Sequence, residues 1–218
     1  SDVYKRQVLI DATASAGQRD RARADWSRLD HACATAACLV ELALQQGDRF
    51  GVIVVSGGGV QLVPAGQGPR QRDRVHLLLR QLQASGSWPP VTSLAPIWER
   101  VQAGDLLVAL GDGFDEAGIV LLERLAAARR EVLHLQLLTA EERDFPFTEG
   151  HRFRDPETGE ELLGDGRAIR EDYLVRFDAA QRALQARLQG SGIVHATGYL
   201  DQPLDQPLRV LLGAGGGA

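Results

Sequence analysis

The side chains with most chemical potential stand in two short segments, each following an apolar run. Val8-Leu9-Ile10 leads into Asp11-Ala12-Thr13-Ala14-Ser15, and Leu106-Leu107-Val108-Ala109-Leu110 leads into Gly111-Asp112-Gly113. Asp11, Thr13 and Ser15 alternate with alanines, so in a locally extended turn their oxygens share one side while small neighbours let the backbone wrap closely. Carboxylates and hydroxyls are hard donors. They suit Mg²⁺, Mn²⁺ or Ca²⁺, whereas a zinc site is built from His or Cys.

Asp-x-Thr-x-Ser is a short pattern that arises readily by chance, and an aspartate after a strand can simply cap the next helix. Weight comes from Asp112 at a second strand end of the same type, and from Thr92, or its neighbour Ser93, between the two in chain order. Open α/β sheets bind ligands at the carboxyl ends of their strands, which is where this reading puts both aspartates.

The elements that must position these residues alternate between strand and helix patterns. Strand 8–10 is followed by a helix over about 20–46, where Trp26, Leu29, Ala32, Cys33, Ala36, Val40 and Leu44 recur at helical spacing and Gly47 stops the run. Phe50 to Val55 and Val60 to Val63 form a strand pair turned by Gly57-Gly58-Gly59; no lysine follows these glycines, so a hairpin turn explains them better than a phosphate loop. An amphipathic helix is expected over 70–83. The loop Ser85-Gly86-Ser87-Trp88-Pro89-Pro90 then leads to a helix through Trp98 and Val101 that Thr92 or Ser93 would cap. Strand 106–110, helix 117–129, strand 131–138, helix 169–188 and strand 193–197 complete the series, with a polar hairpin over 153–162 inserted before the last long helix. The alternation predicts an α/β fold with a doubly wound, mainly parallel sheet, helices on both faces and one antiparallel edge strand.

Composition narrows the function classes. A length of 218 residues with 44% hydrophobic content allows one substantial core, so one domain over 8–212 is expected, with a flexible tail over 213–218. The net charge of -5 supplies no basic field for nucleic acid. Cys33 and Cys38 fit neither a zinc knuckle nor a redox pair and read as buried free thiols. No apolar stretch reaches the roughly 20 residues of a membrane span. The chain has no methionine and a single lysine, Lys5, and reads as an internal piece of a longer protein. Residues 1–7 look like translated adapter sequence and are expected to lie outside the fold. His134 and His195 fall in core strands and are assigned no role. Trp88, beside the prolines, and Ser93 are expected to face a partner.

The pattern Asp11, Thr13, Ser15, Thr92, Asp112 resembles the metal-ion-dependent adhesion site of von Willebrand factor A (vWA) domains, with Thr13 in place of the usual serine. Gln45 to Val52, Asp155-Pro156-Glu157-Thr158-Gly159-Glu160, Tyr173 and Gly192-Ile193 narrow the likeness to the bacterial domain of unknown function 58 family, which it resembles over nearly everything after Gln7. The resemblance implies that Thr13 and Ser15 bind the ion directly, that Thr92, Asp11 and Asp112 bind it directly or through water, and that one position stays open for a carboxylate from a protein partner. It also implies a cytoplasmic, non-catalytic binding domain, membrane helices in a missing amino-terminal region, and a MoxR-type AAA+ ATPase as partner.

Two other functions compete. A Mg²⁺-dependent phosphohydrolase of haloacid dehalogenase type also begins with an aspartate after its first strand, but it needs a second aspartate where this chain has Thr13, and Lys5 cannot supply the phosphate-binding lysine. A degenerate A domain would bind partners as a metal-free scaffold.

Overall fold

The computed structural model describes residues 4–146, 153–154, 161–162 and 166–215. Strand β1 (Lys5–Asp11) runs into a 3-10 turn (Ala14–Gly17) and a short hairpin of β2 (Arg19–Asp20) and β3 (Arg23–Ser27). Next come α1 (Arg28–Gln46), β4 (Arg49–Ser56), β5 (Gly59–Gly66) and α2 (Pro69–Gln81). A second 3-10 turn (Val91–Leu94) precedes α3 (Ala95–Arg100), β6 (Leu106–Gly111), α4 (Glu116–Ala127), β7 (Glu131–Leu138) and α5 (Ala140–Asp144). The antiparallel pair β8 (Phe153–Arg154) and β9 (Glu161–Leu162) is followed by α6 (Gly166–Gly190), β10 (Val194–Tyr199) and α7 (Asp205–Gly215).

The main sheet has the order β10-β7-β6-β1-β4-β5. Every neighbouring pair is parallel except β4 and β5, which form the predicted hairpin. Strand side chains alternate between two cores, as a pleated sheet requires. Val8, Ile10, Val52, Val54, Val108 and Leu110 pack on the face covered by α1, α2 and α7. Leu9, Ile53, Val55, Leu107 and Ala109 pack on the opposite face, against Leu94, Ile97, Val101, the apolar side of α4, and Leu188 of α6. Both faces are thereby dry, which is why the parallel strands read as continuous apolar runs rather than as alternating ones.

The sequence of connections positions the site. From β1 the chain passes through α1 to β4 on one side, and only later reaches β6 on the other side of β1. The order reverses between β1 and β6, and such a reversal opens a crevice at the carboxyl ends of the two strands. Ile10 pairs with Leu110, so Asp11 and Gly111 end side by side and Asp112 follows one residue beyond.

Several expected boundaries move. Residues 5–7 were set aside, yet Lys5, Arg6 and Gln7 lie in β1, where they pair with Arg49 to Gly51, Lys5 reaches Asp105 at 2.6 Å and Gln7 is buried. The first helix begins at Arg28 rather than near residue 20, because the β2–β3 hairpin takes up the preceding residues and Ser27 forms a capping box with Asp30. Its stop at Gly47 is as expected, with a left-handed φ of 73° that an L side chain adopts only with strain. Thr92 caps nothing: it lies within the second 3-10 turn, and Leu94 stands at the start of α3. Residues 213–215, expected as tail, continue α7, whose Leu211 is fully buried against the sheet. Cys33 is half-buried, but Cys38 is exposed, contrary to the expectation of two buried thiols. The pairing of β8 with β9 agrees with the inserted hairpin; its turn, residues 155–160, lies outside the described residues. No helix among the described residues is long and apolar enough to cross a membrane.

Candidate metal centre

Asp11 closes β1, and the chain turns back on it at once. The Thr13 amide and hydroxyl both donate to Asp11 Oδ1, at 2.9 and 2.6 Å. Ser15, exposed in the first 3-10 turn, places its Oγ 3.5 Å from Thr13 Oγ1. Ala12 and Ala16 are buried behind this loop, but Ala14 is exposed and Thr13 is buried, so the expected alternation of outward oxygens and inward alanines holds only at Ala12. The loop before α3 clamps the same turn through its backbone: the Ser85 amide donates to Ala12 O at 3.0 Å, and the Ala14 amide donates to Gly86 O at 2.8 Å.

Asp112 follows β6 and is buried. Its Oδ1 accepts from the Phe114 amide at 3.0 Å, and its backbone carbonyl accepts from Gln136 Nε2 at 2.8 Å. Its Oδ2 accepts from Arg28 Nη1 at 3.0 Å. Burial pushes the Asp11 carboxyl above its usual range, and the charge of Asp112 adds to that push, while the hydrogen bonds from Thr13 and Trp88 oppose it. The two carboxylates are thus electrostatically coupled, and a cation beside Asp11 would oppose the push that burial puts on it.

Trp88 behaves differently from expectation. Its Nε1 donates to Asp11 Oδ2 at 3.0 Å and its ring lies over Gly118, where an added Cβ would stand 2.9 Å from Trp88 Cζ2. The indole is directed inward, onto the site. Exposed apolar area near the rim comes instead from Phe114 and Val91, 56% and 58% exposed. Thr92 and Ser93 are exposed, and neither side chain has a hydrogen bond among the described residues; the polar group that this loop brings to Asp11 is the Trp88 indole.

Sequence reading missed Arg28 and Glu142. Arg28 is buried at the first position of α1. Its Nη1 also donates to Ser15 O at 2.8 Å, and its Nη2 donates to both carboxylate oxygens of Glu142, at 2.5 and 2.7 Å. Glu142 in turn completes the capping box of α5 with Thr139. The sequence reading carried no signal for them: with the helix read as starting near residue 20, Arg28 fell inside it, and only the observed start at Arg28 sets a cation against the helix dipole.

The residues fit a hard dication on chemistry and charge. Among the described residues no group of three or more His, Cys, Asp or Glu side chains is placed to hold a metal, so an ion here must draw on hydroxyls. The 3.5 Å between the Thr13 and Ser15 oxygens compares with the roughly 3 to 3.5 Å between adjacent ligands of an ion bound at about 2.1 to 2.5 Å. Asp112 and Glu142 hold the Arg28 guanidinium, and Asp11 lies within electrostatic range of Asp112; the three carboxylates, if ionised, and the one guanidinium leave a formal charge of -2 for a dication to neutralise. The recess bounded by Asp11, Trp88, Gly113, Gly118 and His134 has a volume of about 30 Å³, room for a water molecule.

No curated protein matches this sequence. Among solved structures, the SpRpn10 VWA domain aligns with a TM-score of 0.53 at 12% identity, covering 95% of this chain and 95% of that one. BatB, a conserved hypothetical protein from Bacteroides thetaiotaomicron, aligns with a TM-score of 0.49 at 15% identity over 87% of this chain and 98% of the other. A von Willebrand factor type A structure from Catenulispora acidiphila aligns with a TM-score of 0.46 at 13% identity over 98% and 41%. At such identities the likeness is one of fold. The sequence itself matches the family described as protein of unknown function DUF58 over residues 5–184. The chain therefore belongs to the DUF58 family and folds as a vWA-like α/β domain.

Proposed function

We propose that this domain binds a hard divalent cation, Mg²⁺ or its substitutes Mn²⁺ and Ca²⁺, at the rim formed by Asp11, Thr13, Ser15 and Asp112, and uses the ion to hold a carboxylate from a protein partner. Thr92, or Ser93, both exposed in the loop before α3, joins the set on family resemblance alone. The observation that supports this reading above all is that the topology brings Asp11 and Asp112, 101 positions apart in the chain, to neighbouring strand ends with two hydroxyls alongside. An ion with an open position in such a rim attracts an anionic ligand. The domain acts in the cytoplasm, and the partner class is a MoxR-type AAA+ ATPase, on family resemblance alone.

The geometry gives less support to phosphoryl chemistry. The position where a second carboxylate would serve as general acid is Thr13, whose hydroxyl is committed to Asp11 Oδ1.

Calorimetric titration with Mg²⁺ and Mn²⁺ tests the reading. The wild type should bind one ion, and Ser15→Ala, which removes an exposed hydroxyl without disturbing the core, should bind it at least tenfold more weakly. Asp112→Ala should abolish binding, although it also removes one of the two carboxylate partners of the buried Arg28, so its folded fraction must be measured alongside. A wild type that captures its partner equally well in chelator, with no heat of ion binding, is a metal-free scaffold, and the proposal fails.

A further inference from the structure

We infer that Arg28 is a counter-cation built into this rim, a positioning residue that sets the affinity for a divalent ion and ties ion occupancy to α5. The inference rests on the ion-binding reading above and adds to it a residue that neither the family pattern nor the sequence assigns.

Four observations converge on Arg28. It stands at the first position of α1, where the helix dipole disfavours a cation, yet its side chain is only 3% exposed. Its guanidinium spans three elements of the site, touching Ser15 O in the hydroxyl loop, Asp112 Oδ2 after β6, and both oxygens of Glu142 in α5. Those carboxylates lie 84 and 114 positions away in the chain, so only the folded domain assembles the triad. Finally, Arg28 Nε has no hydrogen-bond partner among the described residues, and neither does Asp20 Oδ2, whose other oxygen accepts from the Ala140 amide at the start of α5. The guanidinium spends its fork on bridging the rim to α5.

The physical consequence is competition. A guanidinium fixed on Asp112 Oδ2 takes part of the negative potential that would otherwise draw a dication, and repels the dication that arrives. Glu142 opposes this effect by drawing the same guanidinium toward α5. Ion binding at Asp112 therefore shifts the share of Arg28 held by Glu142. That share is coupled to α6 as well, because the Tyr173 hydroxyl donates to the Glu142 backbone carbonyl at 2.8 Å.

Two neutralising variants have opposite expected signs. Arg28→Gln removes the competing charge and should bind Mn²⁺ about tenfold more tightly than wild type, whereas Glu142→Gln, which keeps the capping box because glutamine serves there too, should bind about tenfold more weakly. Arg28→Lys keeps the charge but loses the fork that reaches Asp112 and Glu142 together, and should fall between wild type and Arg28→Gln. The readouts are the calorimetric Kd for Mn²⁺ and the thermal midpoint with and without the ion.

A purely structural Arg28–Glu142 pair would lower stability in both variants and move the two affinities the same way, or not at all; either result overturns the inference while leaving the ion site standing. If Arg28→Gln does not fold, Glu142→Gln decides alone: unchanged or tighter binding overturns the inference. Binding by Arg28→Gln but not by wild type would support it in its strongest form, with Arg28 standing in for the ion, and would count against the function proposed above. Absence of ion binding in all the variants and in wild type defeats both.

Discussion

Gly111 lies directly beside Asp11: a Cβ at position 111 would stand 2.9 Å from the Asp11 Cβ and 3.4 Å from its Oδ2. The ends of β1 and β6 can press together only because position 111 has no side chain, and that closeness brings the carboxylate of Asp112 to the one on Asp11. Gly111→Ala should displace the Asp11 side chain, at a cost of about 1 to 3 kcal/mol in a packed setting, and should weaken ion binding as well. Urea unfolding and ion titration would show both effects. A variant matching wild type in both measurements would mean that the strand ends have slack the structure does not suggest.

The start of α1 offers a second test, because it carries the Arg28 backbone. The Ser27 hydroxyl accepts from the Asp30 amide at 3.1 Å, and the Asp30 carboxylate accepts from the Ser27 amide at 2.8 Å. Ser27→Ala removes one half of this box and should cost about 1 kcal/mol, which for a domain of this size lowers the thermal midpoint by roughly 2 to 4 °C. A midpoint that does not move would show that burial of Arg28 and Leu29, rather than the cap, fixes where the helix begins.

Acid should destabilise the domain through its histidines. His134 and His195 stack in neighbouring strands β7 and β10, with their Nδ1 atoms 3.0 Å apart, one donating and the other accepting. Burial lowers His134 to about 3 and also lowers His195; burial lowers His31 to about 4, with the charge of Arg23 adding to it. The unfolded chain then binds more protons than the native one between about pH 6.5 and those lower values, so stability rises with pH across that window and falls as acid is added. Thermal midpoints taken from pH 7 down to pH 4 should decrease steadily, and His134→Gln, which cannot protonate, should show a shallower slope. Equal slopes in the two proteins would argue against a neutral buried pair.

The last helix should matter more than its composition suggests. Leu211 of α7 is fully buried in the core shared with α1, and Leu211→Ala should cost about 2 to 5 kcal/mol. Circular dichroism during urea titration would register the loss. A change below about 1 kcal/mol would indicate that α7 is a loosely held appendage rather than part of the sheet's cover.

Much of this architecture was legible in the linear order. Val8 to Ile10, Phe50 to Val55 and Leu106 to Leu110 are short, mainly apolar runs bounded by polar residues or Gly, and strands buried on both faces carry that signature. Local rules also placed Gly47 as a helix stop and Gly57 to Gly59 at a hairpin turn. What they could not place was the β2–β3 hairpin, since Arg19 to Ser27 has no apolar alternation and is held by contacts with the first turn and α5. Local rules did not place α7 either: Leu208 and Leu211 are too few to show a helical period, and they gain a role only from the core they join in the folded domain.

The site divides along the same line. Asp11, Thr13, Ser15 and Asp112, and Thr92 with them, were nominated for the proposed ion site on local grounds alone: a hard donor, a small neighbour, a strand end. That Asp11 and Asp112 meet, that the Trp88 indole turns inward onto Asp11 Oδ2, and that Arg28 reaches Glu142 were settled only by the tertiary structure. Sequence carries the periodic burial of side chains, which fixes elements and their faces. It does not carry the electrostatic pairing of buried charges, because the partners are chosen by which loops the sheet order brings together, and a lone arginine in a linear string looks the same whether it faces water or two carboxylates.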